Sequence, residues 1–195
     1  MKKIFIIPSL LLFSFAAQTH AADIRPVISL GYDVDTGSDV MFTGVFTDGS
    51  TDEITGGEGV VFAAGLYVPI EDDMGVQATI GYKWDSIDAQ NGTIDFTRIP
   101  IDVLAFKHFS DKHSIAAGGT YHLSPTFTCE VTAVCTGSVE FDSALGFIAE
   151  YTYAVKSNKE SGMKIGVRYT NISYETSAVT QTFDGSSIGL ILYAY

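Results

Sequence analysis

The sequence predicts an all-β fold, an eight-stranded antiparallel up-and-down barrel that crosses a membrane, and three observations carry that reading. Apolar residues recur at every second position over separate stretches, the period of a strand whose two faces meet different surroundings. The chain closes on the apolar stretch Ser187 to Tyr195 with no polar tail, which suits a last strand sealing a cylinder against lipid. The amino terminus has the layout of a secretory leader, and no later stretch could be a transmembrane helix. A mature chain in a membrane must then cross it as a closed sheet, since only helices and closed sheets satisfy their backbone groups in hydrocarbon.

In the leader, Lys2 and Lys3 precede the apolar run Ile4 to Ala17, and small residues end at Ala21 and Ala22. Residues 1–21 are therefore expected to be a signal peptide and residues 22–195 one barrel domain. The 11 Lys and Arg against 23 Asp and Glu give a formal charge of −12, and losing Lys2 and Lys3 makes the mature chain more acidic still. Such a balance excludes a nucleic-acid partner, whose phosphates call for a basic patch. The 19 Gly, 10 Tyr and 13 Phe favour strands and turns over acidic disorder. The two cysteines, Cys129 and Cys135, lie in one polar segment of an exported chain, so a local disulfide pinning a loop tip is expected and a metal site is not.

The strands follow in order. Strand one, Ile24 to Val34, sets Ile28, Leu30, Tyr32 and Val34 against Arg25, Ser29, Gly31 and Asp33. Strand two, Gly59 to Ile70, sets Val60, Phe62, Ala64, Leu66 and Val68 against Val61, Ala63, Gly65 and Tyr67. Strand three, Gly75 to Asp85, sets Val76, Ala78, Ile80, Tyr82 and Trp84 against Gln77, Thr79, Gly81, Lys83 and Asp85. In strand four, Ile94 to Phe106, the lipid face must be Thr97, Ile99, Ile101, Val103 and Ala105. The opposite register would put Arg98 in hydrocarbon at about 2–4 kcal/mol. Strands five (Ser114 to Leu123), six (Ser143 to Val155) and seven (Lys164 to Tyr174) send Ile115 and Tyr121, Leu145 and Phe147, and Ile165 and Val167 outward. The terminal strand is read with Ile191, Tyr193 and Tyr195 outward and Leu190 and Leu192 inward.

Short connectors, Glu71 to Met74, Ser110 to His113 and Lys156 to Gly162, alternate with the long polar loops 35–58, 124–142 and 175–186. Barrels of the outer membrane have short periplasmic turns and longer extracellular loops, so both termini are expected in the periplasm. The one short outer connector, Ser86 to Gly92, carries the turn pair Asn91-Gly92. Tyr32, Trp84, Tyr121 and Tyr169 fall near the outer rim, and Tyr153, Tyr193 and Tyr195 near the inner, as in an interfacial girdle.

The ending at Ile191, Tyr193 and Tyr195 resembles the terminal assembly signal of outer-membrane barrels. The mature chain resembles the small eight-stranded outer-membrane barrels of Gram-negative bacteria, the OmpA and OmpX type. Phe96 to Leu104 and Gly118 to Leu123 are similar to segments of the outer membrane protein beta-barrel domain group. The resemblance implies a cell outer membrane location and contact with outer-membrane lipid, lipopolysaccharide and the barrel assembly machinery.

Inside such a barrel, Lys83, Asp85, Arg98, Asp102, Glu150, Lys164 and Arg168 would share a lumen barely wide enough for its own side chains. They are read as an ion-pair network that plugs the bore, with a small channel as the alternative. His122-Leu123-Ser124 resembles the His-x-Ser pair of the outer-membrane lipid A deacylase family, with Glu140 on the next strand as the orienting acid, but Pro125 follows where that family has Asn. A rim histidine beside a loop-starting Ser-Pro is the plainer reading, so no catalytic residue is assigned. Asp33-x-Asp35-x-Gly37-x-Asp39 lacks the Gly and Glu of a calcium loop and reads as solvated loop charge. The expected function is that of a non-enzymatic barrel with a side-chain-filled lumen and no cofactor, acting as a monomer through acidic outer loops in surface interaction or envelope integrity. A lipid A modifying hydrolase is the alternative.

Overall fold

The computed structural model describes residues 24–37, 39–46, 48–157, 162–176 and 181–195; the expected signal peptide lies outside them. The strands run in order β1 (Arg25–Asp35), β2 (Val40–Val45), β3 (Thr51–Thr55), β4 (Gly59–Glu71), β5 (Met74–Ala89), β6 (Gly92–His108), β7 (His113–Val131), β8 (Cys135–Glu140), β9 (Ala144–Ser157), β10 (Gly162–Asn171), β11 (Ser173–Thr176), β12 (Gln181–Asp184) and β13 (Ser187–Ala194). Eight of them close the wall. The order β6-β5-β4-β1-β13-β10-β9-β7 is completed by the pairing of β6 with β7, and every ladder is antiparallel. Closure leaves the wall no edge with bare N–H and C=O groups, the condition for a sheet in hydrocarbon.

The two faces of the wall have opposite chemistry. Ile80 is 56% exposed and Phe147 49%, whereas Arg98 is 1% and Arg168 6% exposed. The oily residues thus form the outside and the charges the inside, the reverse of a soluble barrel. Period-two alternation fixes this, because a one-residue slip would move every charge into lipid.

One strand has the other register. In β13, Leu190 and Leu192 are exposed while Ile191 and Tyr193 are 3% and 1% exposed. The expected outward face of Ile191, Tyr193 and Tyr195 is therefore the inward one, and Leu190 and Leu192 meet lipid. Both faces of this stretch are apolar, so composition does not separate them. The Tyr193 hydroxyl does, because it finds charged partners only in the lumen. Tyr193 and Tyr195 accordingly do not belong to the inner girdle.

The long polar loops are not irregular. β2 pairs with β3, β8 continues β7 as a hairpin, and β11 pairs with β12, so the wall rises into a crown of β-hairpins at the end away from the termini. A second core holds the crown together: Ile54, Ile87, Ile94, Phe96, Val131, Phe141 and Tyr174, flanked by Phe42, Phe46, Phe127 and Phe183. Rings interlock there edge to face, Phe96 against Tyr174 at 5.4 Å and against Phe141 at 5.7 Å. The Cys129–Cys135 disulfide, with Cα atoms 5.8 Å apart, straps the β7–β8 tip. At the β5–β6 turn, Gly92 has φ 150° and a Cβ there would lie 1.8 Å from the Glu130 carbonyl oxygen, so glycine is required.

Candidate functional site

Charge in the lumen sits in a middle layer between the crown core and a lower apolar layer of Tyr67, Leu104, Phe106 and Ile148. Arg168 on β10 is the hub. Its Nε donates to Glu150 Oε2 at 2.9 Å, its Nη1 to Asp102 Oδ2 at 2.8 Å, and its Nη2 to the Tyr193 hydroxyl at 2.8 Å. Tyr193 in turn donates to Glu150 Oε2 at 2.8 Å, and Thr120 donates to Asp102 Oδ1 at 2.6 Å. One guanidinium fork therefore pairs with two carboxylates in a space where an unpaired charge would cost several kcal/mol, about 3–5 when one partner of a pair is removed.

A second knot lies toward the crown. Lys83 Nζ donates to Asp33 Oδ2 at 2.5 Å and to the Gly57 carbonyl at 2.6 Å. Arg98 donates to the backbone carbonyls of Phe96, Gly56 and Glu58, with its guanidinium carbon 4.4 Å from the centre of the Phe96 ring. Arg98 thus anchors the strand β3–β4 connection rather than meeting a carboxylate. Asp85 Oδ2 has no hydrogen-bond partner among the described residues. Lys164 stands apart near the terminal mouth, its ammonium 4.8 Å from the Tyr195 ring and 5.5 Å from that of Phe106.

The seven lumen charges are therefore not one network. Asp102, Glu150 and Arg168 come together; Lys83 pairs with Asp33; Arg98, Asp85 and Lys164 have other surroundings. Sequence reasoning missed Tyr193, turned outward by the wrong terminal register, and Asp33, read as solvated loop charge although only 6% exposed. Strand alternation already placed Asp33 on the inner face with Lys83. Asp35 also departs from that reading, because its Oδ1 accepts from the Gly57 amide at 2.9 Å.

The space left between the two knots is about 20 Å³, bounded by Asp33, Lys83, Asp102, His122 and Arg168 among others, room for about one water. Wider hollows lie toward the two ends of the barrel. One of about 460 Å³ at the terminal mouth includes Arg25, His108, Lys164 and Tyr195, and another of about 530 Å³ lies in the crown.

The His-x-Ser resemblance does not produce a dyad. His122 is buried and its Nδ1 is hydrogen-bonded to the Tyr174 hydroxyl at 2.6 Å. Between the pairs Thr97↔Thr126 and Ile99↔Leu123, β7 carries one extra residue, and Ser124 in this bulge has φ 46°. The bulge breaks the alternation, so Ser124 is exposed while His122 faces inward. Glu140 is exposed, and its carbonyl accepts from Thr176 Oγ1 at 3.0 Å.

No protein-family model and no curated protein matches the sequence. Solved structures do share the fold. Ail, the attachment invasion locus protein of Yersinia pestis, superposes with a TM-score of 0.53 at 12% identity, over 89% of this chain and 96% of its own. Its complex with the heparin analogue sucrose octasulfate gives 0.50 at 14% identity, over 87% and 97%. At such identities the likeness is one of fold. The chain has the fold of the small eight-stranded outer-membrane barrels, and its exposed belt of Ile28, Leu30, Phe62, Ile80 and Val103 is an apolar outward face suited to lipid.

Proposed function

We propose that the protein is a non-enzymatic integral outer-membrane barrel. Its lumen is closed by its own side chains, and its hairpin crown stands on the cell exterior and serves surface interaction or envelope integrity. One observation carries the reading: structure is invested in the crown and not in a passage. The mid-lumen void is about 20 Å³, while the strands extend past the belt into hairpins with their own aromatic core. Short turns at the terminal end and long hairpins at the other match the periplasmic and extracellular ends of such barrels.

The crown's charge narrows the class of partner. From Val34 to Gly59, from Leu123 to Phe147 and from Asn171 to Ile188 the sequence has no Lys or Arg. Lys83 and Arg98, the bases nearest the crown, are 4% and 1% exposed. The Ail complex holds a sulfated, heparin-like polyanion; a crown like this one repels such a ligand and attracts cations.

Planar-bilayer recording tests the closed lumen. The purified barrel should insert without steady conductance; stable unitary steps would replace this reading with a channel.

A further inference from the structure

The crown hollow of about 530 Å³ is an open groove between the β2–β3 hairpin and the tips of β5–β6 and β7–β8. Its floor is apolar, formed by Phe42 and Phe46 on one side and by Ile87, Ile94 and Val131 on the other. Two aliphatic side chains stand proud at its rim: Val45 is 75% and Val134 66% exposed. Neither belongs to the lipid belt, since both sit at hairpin tips beyond it, and apolar tips left in water are the usual mark of a contact surface.

The polar surroundings of the groove carry one sign. Asp48 lines it, and Asp52, Glu53, Asp88 and Glu130 are exposed on the strands that form it. No Lys or Arg side chain is exposed in the crown to balance them among the described residues. An apolar floor inside an acidic rim complements a chain with apolar residues on one face and Lys or Arg beside them. A polyanion lacks the charge, and a neutral lipid tail would leave the carboxylates without a role.

We infer that this groove docks a cationic amphipathic segment of another protein. The apolar side chains of that segment cover Phe42, Phe46 and Val134, and its bases face Asp48, Asp88 and Glu130. This rests on the reading of the crown as an exterior contact surface and names the partner chemistry for it. Removing Val45 and Val134 strips the rim of apolar contact without adding charge. Neutralising Asp48 and Asp88 removes electrostatic steering and, with it, part of the salt dependence.

Fluorescence anisotropy tests the inference, with the full chain folded in nonionic micelles, empty micelles as the blank, and a labelled peptide of clustered Leu and Lys as the probe. The Leu and Lys peptide should saturate the barrel, and a Leu and Glu peptide of equal length should not bind. Val45→Ser combined with Val134→Ser should weaken binding about tenfold or more, while the shift in gel migration on heating stays as in the parent. Binding no better than to empty micelles, equal binding of the Glu peptide, or binding untouched by the double substitution would overturn the inference. An epitope inserted at Asn91 and probed on intact cells separates the two readings. An accessible epitope with no peptide binding removes the groove alone, and an inaccessible one removes the exterior placement of the crown.

Discussion

Arg168 Nη1 donates to Asp102 Oδ2 at 2.8 Å across the lumen, although β10 and β6 are separated around the wall by β9 and β7. The bond ties strands that are not neighbours in the wall and, with Glu150 and Tyr193, fills the middle of the lumen. Arg168→Met should leave two buried carboxylates without a cation and cost about 3–5 kcal/mol, measured as the urea midpoint of folding into vesicles. Equal stability would mean that the carboxylates are relieved in another way.

The same logic reversed applies to the belt. Ile80 on β5 faces lipid, so Ile80→Lys should cost about 2–4 kcal/mol if it lies near the midplane, read in the same vesicle titration. A neutral outcome would remove Ile80 from the bilayer.

How much of this was legible in the sequence depended on whether the two faces of a strand differ. In β5, Ile80 and Tyr82 alternate with Thr79 and Lys83, and in β6 the cost of exposing Arg98 chooses the register, so both could be read directly. In β13 both faces are apolar, and only the distant Arg168 and Glu150 reveal that Tyr193 points inward. The crown hairpins were hidden for a related reason. Their Thr, Ser, Gly and Asp look like loop, and the core residues Phe42, Ile54, Phe141 and Tyr174 come from four separate segments. The His122–Ser124 pairing failed because a bulge of one residue lies beyond any periodicity argument.

Tyr174→Phe removes the hydroxyl bonded to His122 Nδ1 and leaves a buried ring nitrogen without its partner. The expected loss is about 1–3 kcal/mol. Ser124→Ala should leave both stability and the lipid A of expressing cells unchanged, as shown by mass spectrometry of extracted lipid; altered lipid A would restore the hydrolase alternative.

Cys129→Ser with Cys135→Ser releases the strap at the β7–β8 tip without touching the wall. Hydrogen exchange at the tip should speed up, with heat-dependent gel migration retained. A lost barrel would mean that the disulfide holds more than the hairpin.

In the turn between β4 and β5, the Lys107 ammonium hydrogen-bonded to Asp73 holds that carboxyl below its ordinary range. A folded value below the unfolded one means that the contribution is present above the unfolded value and fades as pH falls through the folded one. Protection of the turn amides, taken relative to the intrinsic exchange rate at each pH, should fall on acidification in the parent and lose that dependence in Asp73→Asn.

The central claim is a sealed cylinder, oily outside and salt-bridged within. Gel electrophoresis of the outer-membrane fraction before and after boiling tests location and closure together. The account predicts a band in that fraction that migrates differently once boiled; one unchanging band in the soluble periplasmic fraction would contradict it.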